Sequence, residues 1–272
     1  LPIFGEGAQD EALVAGTRSE THTIDQAGGQ VVLGLIDRPA EQSQLPWVVD
    51  YARGGHLLVY GASGSGKSEV LRSVAAAATA GSTAGVPDCV YAIDAGGGAL
   101  SVLERMPSVG SVVLEQQTER MLRLIRMLAR AVEERNALLA SKGAADVAAL
   151  AALGVPLQRI HLLVDNLPAV LNAVEGGGPV RRQHAEHLVT ILQEGRRCGV
   201  HVTATTPQRT GLTSPVQATF GQRLVLRMTV PDDYVMLGVP GTVLDGDSVP
   251  GRGLVGKDEV QVATVGGAGT PL

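Results

Sequence analysis

Lysine is nearly missing from this chain: only Lys67, Lys142 and Lys257 occur, so 19 of the 22 basic residues are arginine. The formal net charge is −5 and the pI about 5.7. This balance disfavours a lysine-rich nucleic-acid binder and a polybasic membrane-surface protein, leaving only a local arginine patch for such contacts. Aromatic residues make up 3%, so a core must be built from Ala, Val, Leu and Ile, while 35 glycines imply many tight turns. The two cysteines, Cys89 and Cys198, lie in apolar contexts and read as buried free thiols of a reducing compartment rather than a disulfide. No apolar run reaches the ~18 residues a membrane span needs, and no signal peptide opens the chain. It starts at Leu1 rather than Met, which reads as a piece of something longer. The expected location is cytoplasmic, with any membrane contact made only through parts of the protein outside this piece.

What is present is a globular composition, 44% hydrophobic and 18% charged. Residues 1–30 are polar and poorly periodic and read as an arm or linker; 31–265 read as one domain; 266–272 read as a flexible tail. Val31 to Ile36 and Pro46 to Asp50 are strand-like. His56 to Tyr60, Cys89 to Asp94, Ile160 to Asp165, Val200 to Thr205 and Arg223 to Met228 are short apolar runs of buried-strand type. Between them, Ser68 to Ala80, Gln117 to Ser141 and Val180 to Arg197 read as helices, the second with Met121, Leu124, Ile125, Leu128 and Val132 at helical spacing. Leu254-Val255 and Val260 to Val265 suggest a closing hairpin. The alternation predicts an α/β fold with a mainly parallel sheet covered by helices on both faces.

Gly61-Ala62-Ser63-Gly64-Ser65-Gly66-Lys67-Ser68 matches G-x-x-x-x-G-K-[ST] in full, between a strand and a helix. Such a loop wraps a phosphate in backbone N–H groups at the positive end of a helix, its lysine reaches the β- and γ-phosphates, and its hydroxyl ligates Mg²⁺. Ser68 and Asp165, the carboxylate ending Ile160-His-Leu-Leu-Val-Asp165, are the candidate Mg²⁺ ligands. Asn166 follows, where many P-loop ATPases place the carboxylate that activates water. Losing a positioned base costs roughly a hundredfold or more, so the pattern supports binding and leaves turnover open. Asp94 and Thr205 end neighbouring strands, Thr205 as a γ-phosphate sensor; each reads equally well as a cap or turn residue. Arg123, Arg126, Arg196 and Arg197 are candidates for an arginine offered to a neighbour's nucleotide, although a solvated helix face accounts for any one of them. His184 and His187, at i and i+3, match no metal motif and read as a plain exposed helix face.

In order along the chain, His56 to Gly61, Gly66-Lys-Ser-Glu69, Tyr91-Ala-Ile-Asp-Ala-Gly-Gly-Gly98, Leu163-Val-Asp165 and Gly199-Val-His-Val-Thr-Ala-Thr205 resemble the FtsK/SpoIIIE family of P-loop motor ATPases. Gly34-Leu-Ile-Asp-Arg-Pro-Ala-Glu-Gln42 and Ile93-Asp-Ala-Gly-Gly-Gly98 are most similar to a tandem ATPase module of EccC/EssC, the type VII secretion motors. Asp232-Asp-Tyr234, Leu237-Gly-Val-Pro240 and Pro250-Gly-Arg-Gly253 resemble the same broad set. The resemblance implies a RecA-like core, ATP and Mg²⁺ as ligands, and Gly61 to Glu69 as the nucleotide-binding segment. Lys67, Asp165, Asn166 and Thr205 would form the catalytic set. It implies adjacent ATPase modules as partners, with a secreted substrate's signal peptide and a hexameric ring as further candidates. Active modules carry Asp-Glu where this chain has Asp165-Asn166, and often Ala-Thr-Gln where it has Ala204-Thr205-Thr206. The expected function is therefore an ATP-binding secretion module with weak or regulated hydrolysis; the alternative is the motor domain of a DNA translocase.

Overall fold

The computed structural model describes residues 29–80, 82–83, 86–176 and 179–265. The expected arm and tail lie almost wholly outside these. Strand β1 (Gln30–Arg38) turns back through a 3-10 turn into β2 (Ser43–Asp50), and a single helical turn, α1 (Tyr51–Gly54), leads to β3 (Leu57–Tyr60). Helix α2 (Lys67–Ala80) follows, then a two-residue ribbon, β4 (Ser82–Thr83) with β5 (Val86–Pro87). Next come β6 (Cys89–Asp94), β7 (Val109–Leu114), α3 (Thr118–Lys142), α4 (Val147–Ala152), β8 (Ile160–Asp165), α5 (Leu167–Glu175) and α6 (Pro179–Glu194). The chain closes with β9 (Val200–Thr206), α7 (Ser214–Ala218), β10 (Gln222–Leu226), α8 (Asp232–Met236), β11 (Arg252–Val255) and β12 (Asp258–Val262).

Ten strands form one sheet in the order β2-β1-β12-β11-β10-β3-β9-β8-β6-β7. From β10 to β7 the pairing is parallel, and from β2 to β10 it is antiparallel. The expected closing hairpin is present as β11–β12, and it joins the β1–β2 hairpin to the parallel core. The N-terminal hairpin is thus a wing of the sheet.

Strands β3, β8 and β9 are buried along their whole length, because helices cover both faces. Alternate residues divide between two cores. Leu57 and Val59 pack with Val70, Leu71, Val74 and Ala78 of α2. Leu58 and Tyr60 pack on the other face with Met121, Ile125, Leu128 and Val132 of α3 and with α5 and α6. The five apolar residues read at helical spacing in α3 are all buried, and Gly143 ends that helix in a left-handed cap. Cys89 is half-buried and Cys198 buried, both as free thiols. No helix among the described residues is long and apolar enough to cross a membrane.

Candidate nucleotide site

The parallel strands end together at one edge of the sheet, where loops carry function in α/β folds. Tyr60 pairs with Thr206 across β3–β9, and Asp94 with Asp165 across β6–β8, so the strand ends named from sequence are level with the loop at 61–66. That loop is tied down from both sides. Gly61 N–H donates to the Thr206 carbonyl at 3.1 Å, Ala62 N–H to the Arg227 carbonyl at 2.7 Å, and Gly251 N–H to the Ser65 carbonyl at 2.9 Å.

Gly66 has φ +104°, and a Cβ there would lie 2.5 Å from the Gly251 nitrogen. The contact is backbone against backbone and cannot yield by a rotamer change. Gly66→Ala is expected to destabilise the fold by about 2 kcal/mol, from positive-φ strain plus the clash, read as a fall in the thermal midpoint.

Helix α2 starts at Lys67, directly after the loop, so N–H groups of its first turn have no partner within the helix. The Lys67 ammonium donates to the Ala62 carbonyl at 2.7 Å across its own loop. Burial lowers its pKa, and the Asp165 carboxylate partly offsets this. The Ser68 hydroxyl donates to Asp165 Oδ2 at 2.9 Å, and the Thr205 hydroxyl donates to Oδ1 at 2.6 Å. A hydroxyl and a carboxylate held this close form an oxygen-only donor pair, which suits Mg²⁺. Gly96 keeps the space beside them clear, since a Cβ there would sit 2.4 Å from Asp165 Oδ2. The residues present therefore fit Mg²⁺, which Ser68 and Asp165 would hold.

Asn166 adopts φ 62°, ψ 64°, one of two non-glycine residues at positive φ among those described. Its N–H donates to Thr205 Oγ1 at 2.8 Å and its side-chain amide to the Ala95 carbonyl at 3.1 Å. Thr205 thus links Asp165 and Asn166 in one hydrogen-bonded chain. Asp94 is a loop organiser: its Oδ1 accepts from Gly96 N (3.1 Å) and Gly98 N (3.0 Å), and its Oδ2 from Leu100 N (2.7 Å). The Glu69 carboxylate points along α2, accepting from Arg72 (3.0 Å) and from Val265 N (3.0 Å). Ser63 is exposed at the loop's outer bend, and Ser65 is buried with its hydroxyl unpartnered.

The arginine candidates lie away from this cluster. Arg196 donates to the Arg53 carbonyl at 3.1 Å, and it and Arg197 precede β9, at the opposite edge of the sheet. Arg123 and Arg126 line a cleft of about 350 Å³ between α3 and α6, with Glu119, Leu122 and His184. His184 is buried there, its ring centroid 5.5 Å from that of His187, which corrects the exposed-face reading of this pair. No group of three or more metal-ligating side chains occurs among the described residues. Sequence reasoning missed Arg227 and Gly251, both against the loop; Pro250-Gly251 stood within a quoted motif, but nothing in its spacing signalled this contact.

A model of the FtsK/SpoIIIE family matches residues 25–240. The chain belongs to the FtsK/SpoIIIE family. Among curated FtsK/SpoIIIE relatives, the ESX-4 secretion system protein EccC4 of Mycobacterium tuberculosis is 30% identical over 233 residues, covering 84% of this chain and 18% of that protein. Among solved structures, Thermomonospora curvata EccC (ATPases 2 and 3) in complex with a signal sequence peptide superposes with a TM-score of 0.74 at 25% identity. It covers 88% of this chain and 43% of that one. Geobacillus thermodenitrificans EssC (ATPases 2 and 3) shares the fold, with a TM-score of 0.70 at 22% identity over 87% of this chain and 44% of that one. This FtsK/SpoIIIE chain spans less than a fifth of EccC4 and less than half of either solved piece. The expected RecA-like P-loop architecture is thus present.

Proposed function

We propose that this chain is one ATPase module of a type VII protein-secretion motor, holding ATP·Mg²⁺ at the 61–68 loop with weak or regulated hydrolysis. The observation that carries the reading is the convergence of Lys67, Ser68, Asp165 and Thr205 at the sheet's carboxyl edge, with an amide, Asn166, in the position after Asp165. Gly61 to Gly66 and the start of α2 cradle the phosphates, and Lys67 neutralises them. Ser68 and Asp165 would hold Mg²⁺, which would supply charge neutralisation at the phosphate oxygens. Thr205 orients Asp165. Its likeness to EccC and EssC supports neighbouring modules as contacts, and the signal peptide in the T. curvata complex supports an exported substrate as another. The acidic balance of the chain disfavours a DNA-pumping role.

Calorimetric titration with ATP tests this. Binding at micromolar concentration or tighter is expected, dependent on Mg²⁺. Lys67→Ala should weaken it by about 2 kcal/mol, roughly thirtyfold, from lost charge-assisted hydrogen bonds. Asp165→Asn should remove the Mg²⁺ dependence while leaving a folded protein. A wild-type chain that binds no nucleotide refutes the reading, and strong turnover on duplex DNA would transfer it to the translocases.

A further inference from the structure

The chain leaves β10 at Arg227, makes an excursion through α8, and returns to the loop at Gly251. Its two ends clamp the loop through the Arg227 carbonyl and the Gly251 N–H. The Arg227 side chain is half-buried between loop and excursion. Its Nη1 donates to the Gly246 carbonyl, and its Nη2 lies 3.7 Å from where a Cβ on Gly64 would be. A guanidinium therefore rests on the bend of a phosphate-binding loop while bonded to a neutral carbonyl.

The turn that supplies this carbonyl is acidic. Asp245 and Asp247 flank Gly246, and Asp245 Oδ1 accepts from Asp247 N–H (3.1 Å) and the Ser248 hydroxyl (2.9 Å). This turn is anchored at Leu244, which is buried in the core, and at Gly251 against Ser65. Between these anchors, Asp245–Ser248 is held mainly by itself and by Arg227. The excursion also carries five of the nine large apolar side chains exposed among the described residues: Val230, Val235, Met236, Val243 and Val249.

We propose that Arg227 is a nucleotide sensor acting within its own chain, coupling occupancy of the 61–68 loop to the 245–248 turn. A polyphosphate in the loop offers Arg227 charged oxygens, to which a hydrogen bond is about twice as strong as to a neutral carbonyl. The same charge repels Asp245 and Asp247. Both effects draw Arg227 off Gly246 and free the turn, loosening the segment between Val243 and Val249. The proposal rests on the loop holding a nucleotide.

The test is amide hydrogen exchange on the whole chain with and without Mg·ATP, with nucleotide binding measured separately by calorimetry. In the wild type, saturating Mg·ATP should speed exchange across 243–249 about tenfold while slowing it in 61–68. In Arg227→Ala, the 243–249 segment should exchange fast already and show no response to ATP, and binding should weaken about tenfold from loss of a charge-assisted contact. Arg227→Lys, which keeps the charge but not the fork, should restore part of the response. Thermal melts confirm that both variants fold. ATP binding to wild type without a change at 243–249, or an unaltered response in Arg227→Ala, overturns this inference and leaves the nucleotide site standing. Absence of ATP binding overturns both.

Discussion

Asn166→Glu is expected to raise ATP turnover about a hundredfold, the usual worth of a positioned general base, while lowering stability. Asn166 directly follows Asp165, so a carboxylate there joins the Ser68–Asp165–Thr205 cluster. The cost arises because the present residue is fitted to its backbone. Asn tolerates φ 62°, ψ 64° better than most residues, and its amide gives the Ala95 carbonyl a donor at 3.1 Å. Glu at positive φ costs about 1 kcal/mol, and the lost hydrogen bond costs about another. The thermal midpoint should fall by several degrees. Asn166→Gly separates the two effects, since it accepts the left-handed backbone and adds no base; it should stay at the parent's rate. Phosphate release under single-turnover conditions reads the chemistry directly. A Glu variant that binds ATP and releases phosphate no faster would show that the missing carboxylate is not what limits turnover.

The same local structure shows what Asn166 does in the fold. Asn166 ties the end of β8 to the residue after Asp94, and Asp94 in turn gathers the N–H groups of Gly96, Gly98 and Leu100. Amide, carboxylate and glycine triplet thus form one strut across two strand ends, with Gly96 keeping clear of Asp165. The amide that braces this strut has no oxygen basic enough to take a proton from water.

Local signals recovered much of this architecture. The β6 and β8 spans agree with the sequence reading to the residue, because continuous apolar runs bounded by breakers are distinctive. Strand β7 was missed: Gly110 and Ser111 dilute its apolar run, and its identity comes from pairing with β6. The wing of the sheet was read only as separate strands, since the joining of β1 to β12 is a contact across the whole chain. At the site, the residues within a motif were legible and those brought by topology were not. Arg227 reaches the loop because β10 lies beside β3, and Gly251 because β11 follows β10 in the sheet, pairings that no short window encodes. Asp94 had two equal readings until its three backbone donors decided for the cap.

At the opposite edge of the sheet, a buried histidine group should make the protein acid-labile well above the usual carboxylate range. His161 and His201 sit side by side in β8 and β9 with ring centroids 5.5 Å apart, and Tyr51 lies against both at 5.2 and 5.3 Å. His56, just before β3, accepts the Val202 N–H at 3.0 Å. Burial pushes the His56 pKa down to about 4, with Arg196 adding to the shift and the Ile191 and Leu192 carbonyls offsetting part of it. Burial holds His201 well below 6.5, reinforced by His161, His56, Arg159 and Arg135. Both rings are therefore neutral in the folded chain, while in the unfolded chain they take up protons below about 6.5. The unfolded state binds more protons as pH falls, so stability is complete above pH 6.5 and is lost below it. Each histidine contributes a slope of up to about 1.4 kcal/mol per pH unit, so the pair steepens the loss of stability between pH 6.5 and 5. Urea unfolding midpoints across this range measure the loss. Substituting His201 by Phe should remove about half of the slope whatever it does to stability at pH 7.5, because the slope counts protons and not contacts. A slope unchanged by that substitution would place the acid sensitivity elsewhere in the fold.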